Sequence, residues 1–600
     1  MYTNIGVLLI MFSIPARLQR LGNASSTKDK PGYYYKVNGS YQSKTFNSYY
    51  QSCLSFAKSL LAIDFPVDGK ICILAFNRPE WIIADVGTMM AGGVPAGIYQ
   101  TCSPEEVEYI VSHSEAEIVV VENQDQWKKV QVNLSKLPNV KHVVLMEGSD
   151  PSGWENVDER TLSWNDFIER GASIPDSNVQ SRLDNLKEDQ AATFIYTSGT
   201  TGPPKAVMLS HENLMFTADQ AVNLTELHAE DCTISYLPLS HIAEQVFTIH
   251  GPITAGSPVY FAESIDKLPD NLKEVRPTVF FGVPRIWEKF HAGISGKLSQ
   301  ATGVKAKLAS WAMQVGRAYH NAKNQGKEPS LSLSLQYKLA NKLIYSKVKP
   351  AIGMDRARVC VSGAAPISQE ILEFMSGLDL VIHEVYGQSE DSGPTSFNKP
   401  GQTRFGSVGP AFPGVEIKIA EDDEILVRGK NVFLGYYKNK EATDETLIDG
   451  WLHSGDLGKI DDEGYLYIIG RKKEIIITAG GKNISPKNIE SDIKDIPQVS
   501  QAVVIGDRRK YLSALITLDM EAVGNVQNAH EDTAILEQVQ KGIDTVNSRL
   551  ARVENIRKFK ILPRDFTIED GELTPTLKIK RRIVYDNWAD TIESIYAEDK

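Results

Sequence analysis

Between Tyr196 and His211 the chain reads YTSGTTGPPKAVMLSH, whose first part, Thr197 to Lys205, sets four hydroxyl side chains, two glycines, two prolines and one lysine directly after an apolar segment. That mixture suits the binding of phosphate. Thr197, Ser198, Thr200 and Thr201 offer hydroxyl donors and Lys205 offers a full positive charge. Gly199 and Gly202 let the backbone bend and bring its N–H groups close to an anion. Thr193 to Tyr196 reads as a short buried strand leading into the loop. The spacing departs from the Gly-x4-Gly-Lys-Ser/Thr phosphate loop, because two prolines separate Gly202 from Lys205 and Ala206 follows the lysine. Read alone, the run is also compatible with a Ser/Thr-rich surface turn.

Further polar groups stand at the ends of apolar runs. Tyr386-Gly387-Gln388-Ser389-Glu390 follows LVIHEV, which places it at a strand end, where open α/β sheets bind ligands. Glu390 suits a hard cation that takes oxygen ligands and bridges phosphates. Without its neighbours this string would also fit a plain loop. Ser362-Gly363-Ala364-Ala365-Pro366 comes after ARVCV and reads as a tight strand-to-helix turn whose small side chains let a flat base lie against backbone. Asp456 lies in DGWLHSGD, Arg471 in IIGRKKE, His241 in YLPLSH and Lys578 in LTPTLKIKRR. In isolation an Asp in a turn is a local cap, a lone His is structural, and a charge run or terminal lysine is solvated.

Taken together and in this order, from about residue 45 to about residue 590, these segments resemble the adenylate-forming superfamily. In it acyl-CoA synthetases, firefly luciferase and peptide-synthetase adenylation domains share one fold and one first half-reaction. Within it the chain looks like a long-chain acyl-CoA synthetase of the bubblegum type. The resemblance implies ATP, Mg²⁺ and CoA as the small molecules bound, and a fatty acid as the substrate. It assigns the Thr197–Lys205 loop to the phosphates and Thr197 with Glu390 to magnesium. Glu384, Tyr386, Gly387, Gln388 and Ser389 would border the nucleotide, with Tyr386 on adenine and Ser389 at the α-phosphate. Ser389 stands where relatives commonly have Thr. Gly363, Ala364 and Ala365 would line the adenine pocket, Asp456 would accept from both ribose hydroxyls, and Arg471 would contact ribose and phosphate. Lys473 falls on the hinge. His241 would border the acyl and CoA channel, and the stretch FFGVPRIWEKF, Phe280 to Phe290, would lie beside the acyl tunnel or form core. Gly480 and Gly481, before Lys482, would approach the pantetheine arm, and Arg508, Arg509 and Lys510 would meet CoA phosphates. Lys578 would enter the first active site and stabilise charge as the carboxylate attacks the α-phosphate. Ala206 replaces the usual glycine, so a positive φ there would strain it.

The chain has 600 residues, 42% hydrophobic and 23% charged, which describes a globular protein of more than one domain. Its net charge of −12 argues against nucleic acid as a partner, so any phosphate site must be local. The five cysteines are dispersed without metal-ligand spacing, which fits a reducing cytosol. The apolar run Ile5 to Ile14 is well short of the ~20 residues that span a bilayer. Its alternatives are an interfacial anchor and a poorly ordered start through residue 30. One region reverses the overall charge: from Ala292 to Pro350 ten Lys or Arg face one acid, Glu328. This is either a solvated helical face or a patch for anionic lipid, and peripheral attachment to an intracellular membrane is the corresponding expectation.

The elements that must position these groups read as α/β. From Lys70 to Tyr99 the text is strand, helix, strand, and apolar strands recur at 117–121, 142–145, 258–261, 278–281, 358–361 and 381–382. Ile417 to Gly429 reads as antiparallel with a turn at Asp422-Asp423. The expected architecture is a large domain of stacked α/β layers over 31–472, with a small β-barrel-like element and a basic helical insert at 292–352. A small mobile α+β domain over 473–600 follows, opening with strands KEIIITA and QAVVIGD and a helix from Asn488 to Lys494. The expected activity is two-step fatty acyl-CoA synthesis. An acyl-AMP ligase serving a carrier protein, a catalytically silent lipid-binding scaffold and a luciferase-like oxidation stay open at this point.

Overall fold

The structure is a computed structural model describing residues 13–197, 203–479, 482–524, 526–574 and 578–597. Strands Lys70–Leu74, Val94–Ile98, Ile118–Val121, His142–Leu145, Thr161–Ser163 and Ala191–Thr197 run parallel in one sheet. Lys205–Ser210 and then Gly435–Tyr436 extend its edge in antiparallel fashion, giving eight strands. Its strands are apolar on both faces because both faces are covered. Ile71, Ile73, Ile118, Val120 and Val144 enter one core, while Cys72, Leu74, Val119, Val121 and Val143 enter another with Val107, Ile110 and Trp127. The alternation follows the two-residue period of a strand.

A second sheet has Val279–Gly282, Val359–Ser362 and Ile382–Tyr386 in parallel, closed at one edge by the antiparallel Ser396–Phe397. The antiparallel element is five-stranded, built from Glu416–Ile419, Glu424–Arg428, Leu447–Ile448, Trp451–Ile460 and Leu466–Arg471, with Asp423 at φ 65° in its first turn. Residues 476–595 form two apolar clusters of their own around the sheet Val499–Ile505, Leu512–Leu518 and Ile556–Ile561.

Two expectations need correction. Ile14–Asn23 is not a poorly ordered start but a helix in the main core, with Ile14 and Leu18 fully buried and Leu21 nearly so. The spacing Ile14, Leu18, Leu21 is one helical face. Ser13 caps the helix and Arg17 pairs with Asp219 at 2.7 Å, so that arginine serves packing. Residues 1–12 of the apolar run lie outside the described residues. In the small domain, KEIIITA is strand only at Ile476–Ile477, because Lys472–Glu474 turn as a 3-10 helix with Lys472 held by Asp422 and Glu424.

One core group carries a pH cost. Asp85, in the helix Pro79–Met90, is fully buried, and neither carboxylate oxygen has a hydrogen-bond partner among the described residues. Burial pushes its carboxyl well above the usual range. The folded chain therefore holds this proton more tightly than the unfolded chain, and stability is lost as pH rises from the unfolded value toward the folded one. Asp85→Asn removes the ionisation. Its melting midpoint should exceed wild type by a few degrees at pH 8, with the gap shrinking toward pH 4. An equal gap at both pH values in thermal unfolding would contradict this account.

Candidate active site

The strands that flank the expected phosphate loop form an antiparallel pair. Thr197 ends one strand, Lys205 begins the next, and the two face each other in the antiparallel register. Ser198, Gly199, Thr200, Thr201 and Gly202 lie outside the described residues. Past the turn, the Tyr109 hydroxyl donates to the Pro204 carbonyl at 3.1 Å. Ala206 is fully buried in extended strand opposite Tyr196, and its carbonyl accepts the Tyr437 N–H at 2.9 Å. It has no positive φ, so the expected strain is absent. An alanine fits because the lysine is followed directly by regular ladder.

Tyr436 joins Lys205 to Glu390, and sequence reasoning missed it. The Lys205 ammonium sits 4.7 Å from the Tyr436 ring centroid, and the Tyr436 hydroxyl donates to Glu390 Oε1 at 2.8 Å. The other Glu390 oxygen has no hydrogen-bond partner among the described residues. Tyr436 arrives here because Gly435–Tyr436 pairs with Val207 and Met208. The visible signal was Gly435-Tyr436-Tyr437 after an apolar run, but the pairing partner is remote in the chain.

A second cluster forms where the 382–386 strand ends. The Tyr386 hydroxyl donates to Asp456 Oδ2 at 2.9 Å, and Arg471 Nε donates to Asp456 Oδ1 at 2.8 Å. Asp456 and Arg471 are direct partners across antiparallel strands, which fixes their contact. Each carboxylate oxygen retains a lone pair, so two ribose hydroxyls could still be accepted. Gly387 is obligatory, since a Cβ there would come within 1.5 Å of the Gly393 carbonyl oxygen. Gln388 accepts and donates reciprocally with buried Asp391, and its Nε2 donates to the Ser454 carbonyl at 3.3 Å. Ser389 is buried beside it. Glu384 is buried, pushed up to about 8 by desolvation, and accepts the Gly406 N–H at 2.9 Å. It props the loop at 406. At the neighbouring strand end, a Cβ on Gly363 would meet Val385 at 2.5 Å, Ala364 holds φ 68°, and Ala364 and Ala365 are exposed.

Lys578 brings the small domain into this cluster. Burial, Arg471 and Lys487 lower its ammonium to about 8, against the opposing pull of Asp456 and Glu390. The residue keeps exposure to water. Burial together with Lys578 lowers His241 to about 3, so the imidazole is neutral. His241 Nδ1 accepts the Ala243 N–H at 3.2 Å, which leaves the proton on Nε2. Lys487 was also missed. Desolvation is the main cause that lowers it, Arg471 acts in the same direction, and Asp456 opposes both. The bridges Lys494 to Glu288 at 3.1 Å and Arg285 to Asp519 at 3.8 Å join the small domain to the large one.

The remaining assignments divide. Lys473 is exposed in the turn after Arg471, and Gly480 and Gly481 lie outside the described residues. Arg509 pairs with Glu593 and the 93% exposed Arg508 with Asp507 at 3.8 Å, while Lys510 forms no ion pair among the described residues. Phe280 and Trp287 are core, since both are buried and Trp287 Nε1 donates to the Gly282 carbonyl at 3.0 Å.

A pH limb follows from Lys578. A lysine that stabilises developing negative charge must be protonated, so kcat/KM for ATP should fall above about pH 8, while kcat, with the triphosphate beside the ammonium, should fall only at higher pH. Lys578→Arg should remove the limb. Its persistence in the arginine variant would assign it elsewhere.

Comparison with known proteins agrees with this geometry. The AMP-binding enzyme family matches residues 22–437, and the AMP-binding enzyme C-terminal domain matches residues 473–600. Long-chain-fatty-acid--CoA ligase ACSBG2 of Gallus gallus is 38% identical over 95% of this chain and 80% of its own length. The Homo sapiens protein of that name is 36% identical over 96% and 91%. ACSBG1 of Rattus norvegicus is 35% identical over 97% and 85%. Among solved structures, the anthranilate CoA ligase AuaEII with anthranoyl-AMP superposes with a TM-score of 0.71 at 20% identity, covering 97% of this chain and 98% of that one. The adenylation domain of a Mycobacterium chelonae carboxylate reductase gives 0.74 at 19% identity, covering 98% and 91%. With the phosphate hairpin, the Asp456–Arg471 pair and Lys578 converging as they do, and with both family descriptions spanning most of its length, the chain belongs to the AMP-binding enzyme family.

Proposed function

We propose that the chain is a long-chain fatty acid–CoA ligase. In the first step a carboxylate oxygen of the fatty acid attacks the α-phosphorus of ATP, the bond to the bridging oxygen breaks, and pyrophosphate leaves. In the second the CoA sulfur, as thiolate, attacks the acyl carbon and expels AMP. Lys578 in the cluster of Asp456, Arg471, Glu390 and His241 carries the reading, because a cation there offsets the charge of two approaching anions. Asp456 accepts the ribose, Arg471 orients Asp456, and Lys205 and the Thr197 hydroxyl hold the phosphates. Neutral His241 offers an N–H without adding charge to the acyl channel. The free Glu390 oxygen and Thr197 are hard oxygen donors that would hold Mg²⁺ with phosphate oxygens, and the ion would supply charge neutralisation.

For the second step the small domain turns about Lys473, breaking the Lys494–Glu288 and Arg285–Asp519 bridges and withdrawing Lys578. CoA as acceptor is supported by the names of the relatives and by Lys510, which forms no ion pair among the described residues. A cytosolic site of action is supported by five cysteines that are all buried, unpaired thiols.

The test is pyrophosphate release by the purified chain with ATP and Mg²⁺ across fatty acids from medium to very long, with and without CoA. A long-chain acyl-CoA product supports the proposal. Adenylate without thioester would transfer the acyl group to another acceptor, such as a carrier protein, and no turnover with any acid would leave a lipid-binding scaffold.

A further inference from the structure

The three most exposed large apolar side chains of the described residues, Leu331 at 85%, Val304 at 82% and Leu335 at 68%, all belong to the basic helical insert. Two of them share the helix Leu331–Ala340 with Leu339, which is 49% exposed. This helix has apolar residues on both sides. Its inner side is anchored: the Tyr337 ring stacks on Tyr319 with centroids 3.9 Å apart, the Tyr337 hydroxyl donates to Asp379, and Ala340 is fully buried. Leu331, Leu335 and Leu339 are spaced four apart, so they stack on one side, turned away from Ala340. At 100° per residue Lys338 falls on that same outer arc beside Leu331. Lys338, Lys342 and Lys347 are exposed and form no ion pair among the described residues. The nearby cations Lys323 and Lys349 are instead neutralised by Glu328 and Asp379.

An unpartnered leucine stripe bordered by free lysines is the composition of a helix lying in a lipid interface. The leucines leave water for the boundary between headgroups and acyl chains, and the lysine stems reach lipid phosphates. Electrostatics narrow the choice of occupant. A chain of net charge −12 is repelled by an anionic surface except where its charge reverses, and the insert is that place. A symmetric contact with a second copy would set these lysines against their equals, which costs energy. We propose that the outer face of the Leu331–Ala340 helix is a docking surface for anionic phospholipid membranes. It deepens the ligase reading by naming where the enzyme meets the phase that holds long-chain acids, but it stands independently of catalysis.

The experiment is co-sedimentation of the full chain, without substrates, with vesicles of phosphatidylcholine alone or mixed with phosphatidylserine. Wild type should bind the mixed vesicles and release in high salt. Leu331→Ser/Leu335→Ser/Leu339→Ser should weaken binding by about tenfold or more. Lys338→Gln/Lys342→Gln/Lys347→Gln should weaken it by about fivefold per lysine at low salt. Both should keep wild-type ATP–pyrophosphate exchange and thermal unfolding, since neither set touches the site. Equal binding by wild type and variants would overturn the proposal, as would equal binding of wild type to neutral and anionic vesicles. A wild-type dimer in solution that the serine variant dissociates would assign the face to a second copy instead.

Discussion

Lys578→Ala should slow acyl-adenylate formation by roughly 10²–10³-fold, the usual cost of removing one preorganised charge from a transition state. It should leave thioester formation from supplied acyl-adenylate close to wild type. In the proposed reaction two anions, a carboxylate and a triphosphate, must approach one another, and this ammonium would be the cation that the small domain brings to their meeting point. The surroundings make it effective. Burial, with Arg471 and Lys487, lowers it to about 8, so it is held where its charge has not been cancelled in advance by a dedicated carboxylate. No hydrogen bond to its side-chain nitrogen exists among the described residues, whereas Asp456 is committed to Tyr386 and Arg471. On the proposed mechanism the two half-reactions separate, because the second begins with Lys578 withdrawn. The measurement is ATP–pyrophosphate exchange beside acyl transfer from synthetic adenylate. An equal loss in both would make Lys578 a structural residue and sink the assignment.

Asp456→Ala should reduce kcat/KM for ATP by about 10²-fold, mostly through KM. On the proposed reading the side chain does two jobs, accepting from the ribose and terminating a small network with Tyr386 and Arg471. Its loss leaves the Tyr386 hydroxyl without its acceptor, and a buried donor left unpaired costs about 1–3 kcal/mol. Arg471 loses the carboxylate that aims it, so its guanidinium no longer points at a fixed place in the nucleotide site. Asp456→Asn keeps one acceptor oxygen and should recover part of the loss. Steady-state kinetics with varied ATP, alongside thermal unfolding, separate the site effect from destabilisation. Wild-type KM for ATP in the alanine variant would remove Asp456 from the nucleotide site.

Much of the candidate site was legible in the sequence, because it lies in short strings at the ends of apolar runs. Tyr386 to Glu390 follows a strand whose side chains alternate between buried faces, and Lys205 follows a turn of glycine and proline. Strand ends and bends of this kind are written locally, in two-residue periodicity and in residues with unusual backbone freedom. Ile14, Leu18 and Leu21 were equally legible as a helical face, yet an apolar run at a chain start also reads as anchor or disorder, and the burying surface lies on helices later in the chain. Ala206 shows the opposite failure. A substitution that looked costly from its neighbours costs nothing, because the ladder with Tyr196 keeps it extended.

What the chain text contained, then, was the α/β alternation and the family resemblance, with Glu390, Asp456, Arg471 and Lys578 as its candidate site residues. The folded molecule added who meets whom. Tyr436 between Lys205 and Glu390, Lys487 near Lys578, and the leucine stripe turned outward beside free lysines each depend on strand order or helix orientation. Those are set by packing between elements far apart in the chain, and no local periodicity encodes the partner of a polar group or which of two apolar helix faces finds a core to enter.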